Sequence, residues 1–269
     1  MDKLFQIAKS VCLNANNHIL QFLLKNKPRI NELKEKVHPK YNFDLEIHSF
    51  IYDKLSPTNI QIISEESYNY ENLDSTFWLV DPVDGSRDLV KNKNSTINIS
   101  LIQDGYPVFG VINDIFSRKQ FSGISNTSNY FCLKSGEIIS NSKTCLITSK
   151  LHKNKDDRKF ILKNKFKKTK SISSSRKFIE IANASSDLYS RFEGSSAWDT
   201  SAGQAIIEAH GGLVLSLYTK KRLKYESKSR LRNPPFIALR KNLRLNSFNE
   251  KTLKITLNEI NNFSSRKRN

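Results

Sequence analysis

The feature that most constrains this chain is an apolar run that breaks directly into two aspartates three residues apart. Trp78-Leu79-Val80 is followed at once by Asp81-Pro82-Val83-Asp84-Gly85-Ser86. The bulky residues predict a short buried strand over Phe77–Val80, ending at Asp81-Pro82. Pro82 stiffens the exit, and Gly85 lets the backbone come close to whatever lies there. Asp and Gly are poor strand residues, so a turn accounts for the break but not for both carboxylates. Taken by itself, D-P-x-D-G also reads as a plain turn.

Two further acidic sites stand at comparable places. Glu65 and Glu66 follow the short strand Gln61–Ser64, and Asp199 precedes the helix expected over Ala202–Ala209. Each has an ordinary alternative: loop acids in solvent for the glutamates, a helix N-cap for Asp199. The combination argues for more. Three acidic sites at strand ends or a helix start, with no matching His or Cys set, offer oxygen ligands only. Such a set suits a hard cation such as Mg²⁺ and disfavours zinc. The three cysteines, Cys12, Cys132 and Cys145, lie far apart without a C-x-x-C pair, which excludes a zinc ribbon and a disulfide scaffold.

The remaining elements follow from periodicity. A long amphipathic helix is expected over 2–26 and a second over 44–55, then a strand pair over 97–103 and 108–115 joined at Asp104-Gly105. Further hairpin strands are expected at 121–123 and 129–134. A second unit begins with a strand at 144–148, continues through a basic helical stretch, a helix over 177–184 and strands at 187–192, 212–217 and 236–238. Gly211-Gly212 closes the 202–209 helix. The expected organisation is an α+β lobe over 1–143 and an α/β lobe over 144–269, forming one catalytic domain with the site between them.

Charge divides the chain the same way. Lys+Arg number 44 against 26 Asp+Glu, a net of +18. Residues 150–177 carry 12 Lys+Arg and two acids, and 219–244 carry 10 and one, so these blocks hold +10 and +9. A nucleic-acid surface and a solvated lysine-rich face are both open readings, since no RNA- or DNA-binding motif accompanies the charge. Hydrophobic residues make up 38%, which excludes a disordered basic tail protein. No stretch has the length and hydropathy of a signal peptide or membrane span, so a cytoplasmic protein is expected, with peripheral attachment at the inner membrane left open.

Together, ISEES, WLVDPVDGSRDL and SSAWDTSAGQAIIEAHGG resemble the three signature segments of the inositol monophosphatase-like phosphatases, which are Mg²⁺-dependent and lithium-sensitive. Ser171-Ile172-Ser173-Ser174-Ser175-Arg176-Lys177-Phe178 is similar to the S-x-G-S-S-x-K-F of one branch, the 3′(2′),5′-bisphosphate nucleotidases. Asp187–Phe192 resembles that branch's D-L-Y-x-R-F, and Arg232–Phe236 its L-N-P-x-F. The resemblance implies a two-lobed, layered αβαβα sandwich of the α/β (α+β) class. It implies a phosphatase acting on the 3′-phosphate of adenosine 3′,5′-bisphosphate, with two or three Mg²⁺ ions per site. Its ligands would be Glu65, Asp81, the carbonyl of Val83, Asp84 and Asp199, with Glu66 behind them. Gly85 and Ser86 would bind the scissile phosphate, and Asp44 with Ser86 would activate water. Ser174, Ser175 and Lys177 would face the nucleotide.

The resemblance is incomplete at four places. The family's Thr is replaced by Tyr41 and by Ser86, its Gly by Ser173, and a Glu-Gly pair by Asn183-Ala184. The implied partner is a small bisphosphorylated nucleotide, with no obligatory nucleic acid and a monomeric or homodimeric state. An inositol-1-phosphate or broad sugar-phosphate phosphatase on the same scaffold is the nearer alternative. A basic nucleic-acid-binding protein on a degenerate phosphatase scaffold is the more distant one.

Overall fold

The computed structural model describes residues 1–25, 42–67, 72–89, 91, 94–125, 144–149, 155–163, 166–226 and 231–241. The strand expected at 129–134 and the Tyr41 position lie outside these residues. Helix α1 (Asp2–Lys25) buries Ala8, Val11, Cys12, Ala15, Asn16 and Ile19, the three-four spacing of one helical face. Helix α2 (Asn42–Leu55) buries Phe43, Ile47, Ile51 and Leu55 at intervals of four. Both pack on one face of a five-stranded sheet.

That sheet runs in chain order: β1 (Gln61–Ser64), β2 (Thr76–Asp84), β3 (Thr96–Gln103), β4 (Tyr106–Asp114) and β5 (Lys119–Ile124). β1 and β2 are parallel and the other pairs antiparallel. β3 is buried from Thr96 to Ile102 because both faces are covered. The short helix α3 (Ser86–Leu89) follows β2.

The strand carrying the two aspartates does not stop at Asp81-Pro82 as its composition suggests. It continues to Asp84 with a register shift between Asp81 and Asp84. The irregularity accommodates Pro82, which has no N–H to give to a ladder. It also turns Asp81 and Asp84 out of simple alternation.

The second sheet has the order β7 (Lys168–Ile172), β6 (Cys145–Ser149), β8 (Leu188–Arg191), β10 (Phe236–Leu239), β9 (Leu213–Ser216). The basic stretch expected to be helical is helix α4 (Lys155–Lys163) and then the edge strand β7. β7 escapes a sequence reading because it is exposed from Lys168 to Ser171 and shows no apolar alternation. Lysines on such an edge also discourage pairing with another chain.

Helices α5 (Arg176–Ala182) and α6 (Ser201–Ala209) lie between the sheets and touch both. On the outer face of the second sheet, Leu146, Leu188 and Ile237 pack with Phe160 of α4. On the inner face, Ile147, Tyr189 and Phe236 pack with Phe178 of α5. The layers are therefore helix, sheet, helix, sheet, helix, the expected sandwich. An added Cβ at Gly110 would overlap the Ala202 backbone, so glycine in β4 is what lets α6 lie flat on the first sheet. At its other end α6 is held by Glu208, paired with Arg222 and accepting from Ser125 Oγ at 2.6 Å.

Candidate active site

The acidic residues converge from three elements at one end of the first sheet. Asp81 and Asp84 come from the irregular end of β2, and Glu65 from the turn after β1. Pairing of the two parallel strands places Glu65 beside Asp81, with Glu65 N–H donating to Val80 O at 3.2 Å. Asp199 arrives from the turn before α6. Its Oδ2 accepts from Ser196 N at 3.2 Å, so it serves its own loop as well as the cluster. It does not cap α6, whose N-cap residue is Thr200.

Gathering carboxylates in a partly dry place raises the proton affinity of Glu65, Asp81 and Asp199. Asp199 is pushed up to about 8, first by burial and then by Asp84 and Glu65, with Lys177 opposing. Asp81, 1% exposed, is also raised well above the usual carboxylate range, by burial first and then by Glu65, Asp84 and Asp199. Glu65 rises to about 7 through burial of its carboxyl and then the charges of Asp84 and Glu66.

One atom shows what such a cluster requires. Asp81 Oδ1 accepts from Val83 N at 3.1 Å, but Asp81 Oδ2 is buried without a partner. An orphaned buried carboxylate oxygen among acids fits a divalent cation. The donors are all oxygens, which fits Mg²⁺. Among the described residues, no three His, Cys, Asp or Glu side chains close into a cage by themselves. Mg²⁺ does not need one, since it keeps several waters and is usually held by one or two carboxylates and a substrate phosphate.

The turn after β2 is built around Gly85, whose φ of +90° lies in the left-handed region. Its carbonyl accepts from Asp88 N at 2.8 Å, Leu89 N at 3.0 Å and Ser95 Oγ at 2.9 Å. Ser86 Oγ sits 3.2 Å from Asp44 Oδ1 and 3.0 Å from Val83 O. The expected Asp–hydroxyl pair is thus in contact. Burial, then the charge of Glu66, raises Asp44 to about 7, against the opposing Ser86 hydrogen bond.

The serine segment divides into three roles. Ser175 faces inward: its Oγ lies 2.7 Å from Asp84 Oδ2 and 2.9 Å from Asp199 O, and accepts from Asn98 Nδ2 at 2.9 Å. That hydroxyl is committed to holding acids, not turned toward a ligand. Ser174, at φ +53°, has a buried hydroxyl without a partner and lies beside Gly85. Ser173 donates to the buried carboxylate of Asp88.

Lys177 is 9% exposed, donates to Ser174 O and lies over the Tyr189 ring. Its pKa is lowered, by burial first; Asp84 and Asp199 pull it up and Arg191 pushes it down. Arg191 is a site residue that the sequence reading passed over, although its motif was visible. Alternation along β8 puts Arg191 on the same face as Tyr189, toward Lys177. Lys177 and Arg191 are both buried, at 9% and 8% exposure. By contrast, Lys168 and Lys170 of the cationic blocks are exposed on β7.

The layered fold has counterparts in known proteins. The chain belongs to the inositol monophosphatase family, whose model matches residues 1–254. It is 35% identical over 243 residues to the 3′(2′),5′-bisphosphate nucleotidase CysQ of Buchnera aphidicola subsp. Acyrthosiphon pisum, spanning 86% of this chain and 89% of that one. The crystal structure of CysQ from Bacteroides thetaiotaomicron superposes with a TM-score of 0.68 and 25% identity, covering 89% of this chain and 98% of that one. Inositol monophosphatase II from Staphylococcus aureus shares the fold, with a TM-score of 0.74 and 18% identity over 99% of both chains. Among the described residues no helix is long and apolar enough to cross a membrane.

Proposed function

We propose that this protein is a Mg²⁺-dependent phosphatase that hydrolyses the 3′-phosphate of adenosine 3′,5′-bisphosphate to AMP and phosphate. The observation that carries this reading is one juxtaposition. A carboxylate cluster with an orphaned oxygen stands beside the Gly85 turn, and the segment carrying the buried Lys177, which lies over the Tyr189 ring, packs against that turn. The relatives named as 3′(2′),5′-bisphosphate nucleotidases support the same substrate class.

Glu65, Asp81, Val83 O, Asp84 and Asp199 are the residues that would hold two or three Mg²⁺ ions, with Glu66 behind them. Bound there, the cations offset the negative charge of the cluster and the phosphate and supply an activated water. The chain's own groups do the rest. Gly85 and Ser86 present backbone N–H groups to the scissile phosphate. Ser86 Oγ accepts a proton from the attacking water while passing its own to Asp44, 3.2 Å away. The water oxygen forms a bond to phosphorus as the bond to the 3′ oxygen breaks, the departing oxygen takes a proton from solvent water to become the 3′ hydroxyl, and no covalent phosphoenzyme forms. Lys177, with Ser174 and Arg191, receives the other phosphate as fixed positive charge.

Phosphate release from adenosine 3′,5′-bisphosphate and from inositol 1-phosphate, each with and without Mg²⁺ and Li⁺, tests the reading. The bisphosphate should be strongly preferred, with turnover needing Mg²⁺ and falling with Li⁺. A large preference for inositol phosphate would overturn the substrate. Salt-dependent binding to random DNA or RNA without phosphatase activity would move the protein to the nucleic-acid class.

A further inference from the structure

The serine at position 173 stands where the resembling branch has glycine, and the structure gives it a partner. Ser173 Oγ donates to Asp88 Oδ2, with Ser173 3% and Asp88 6% exposed. Asp88 belongs to α3, the short helix that follows Gly85, and its own N–H donates to Gly85 O at 2.8 Å. A glycine at 173 would leave that buried carboxylate oxygen without this donor. The two backbones are also close. A Cβ built on Gly85 would lie 3.5 Å from Ser174 Cβ and 3.2 Å from Asn94 O. Lys177 hangs on the same segment by its bond to Ser174 O.

We infer that Ser173 is a positioning residue that fixes, through Asp88, the distance between the glycine phosphate turn and the lysine proposed to take the second phosphate. The inference rests on the bisphosphate reading above. A substrate with two phosphates must satisfy the turn and Lys177 at once, so binding energy is realised only if their separation is held. A monophosphate uses the turn alone. Ser173 therefore tunes the preference for bisphosphates over monophosphates rather than the hydrolytic step itself.

The test compares kcat/KM for adenosine 3′,5′-bisphosphate and 2′-AMP across wild type, Ser173→Ala, Asp88→Ala, the double variant and Asp88→Asn. Loss of a buried, charge-assisted hydrogen bond should reduce the bisphosphate-to-monophosphate ratio about tenfold in either alanine variant, mainly through KM for the bisphosphate. The double variant should fall no further than the single ones, because both remove one link. Asp88→Asn, which keeps an oxygen for the serine, should recover most of the ratio. Equal losses on both substrates, or a shift in Tm with an unchanged ratio, would overturn the inference and leave Ser173 a packing residue. If wild type itself does not prefer the bisphosphate, the parent reading fails and the inference falls with it. If wild type does and the variants keep the ratio, only the inference fails.

Discussion

Ser175→Ala is the perturbation whose consequences the structure defines most fully. The hydroxyl has one hydrogen and faces two acceptors, Asp84 Oδ2 at 2.7 Å and Asp199 O at 2.9 Å. The shorter contact is to a carboxylate, so the proton belongs mainly there. The same oxygen accepts from Asn98 Nδ2, whose Oδ1 is already buried without a partner. Removing it strands Asn98 entirely and frees Asp84 to rotate. Loss of one hydrogen bond to a charged group amounts to about 2 kcal/mol. For a domain of this size that corresponds to a fall of roughly 4–8 °C in Tm. The distinctive effect is on the cation. Asp84 held by one oxygen can present the other, and a freed carboxylate must be ordered by the ion, so Mg²⁺ affinity should fall about tenfold. Calorimetric Mg²⁺ titration of wild type and variant, with thermal melts alongside, reads both quantities. Unchanged Mg²⁺ affinity in a destabilised variant would refute the positioning argument, and full stability would refute the hydrogen-bond geometry.

Asp84→Asn should abolish turnover in a folded protein; because Asp84 raises the carboxyls of Glu65 and Asp199, the ion-free variant should melt above ion-free wild type and gain nothing from Mg²⁺. Wild-type activity in that variant would remove Asp84 from the site. The ion-free protein should lose stability as pH rises from 5 to 9. Asp44 and Glu65 are raised to about 7 and Asp199 to about 8, so their contribution is full below the ordinary carboxylate range and is lost through those values. Mg²⁺ should flatten or reverse that slope, and parallel melting curves with and without Mg²⁺ across the range would contradict it. Ala184→Gly should stabilise the protein by about 1 kcal/mol, since Ala184 is exposed at φ +60° after α5, where a side chain is strained. A lower Tm in that variant would contradict the backbone conformation.

The parts of this site that the sequence discloses are those in which a residue type contradicts its surroundings. Asp81 and Asp84 stand out because they follow Trp78-Leu79-Val80, and Asp199 because it precedes an apolar helix. Long helices such as α1 are legible because their period repeats many times. What stays hidden is decided by tertiary contact. Ser174 and Ser175 are identical neighbours, yet one hydroxyl is orphaned beside Gly85 and the other is bound to Asp84. Nothing local separates them, because the left-handed backbone at Ser174 that turns them apart depends on packing against the first sheet. Asp88 is hidden likewise, as an acid beside Arg87 in a short helix reads as solvated until Ser173 covers it. β7 is missed because an exposed edge strand needs no apolar pattern. The continuation of β2 past Pro82 is missed because an irregular register is not a local property.

Product analysis after incubation with adenosine 3′,5′-bisphosphate tests the central claim most directly. Chromatography that separates 5′-AMP from 3′-AMP, run with Mg²⁺ and with chelator, reports both which phosphate leaves and whether the acid cluster needs its cation. The account predicts one equivalent of phosphate, 5′-AMP as the sole nucleotide product, and no reaction in chelator. Formation of 3′-AMP, or release that persists without divalent cation, would contradict it.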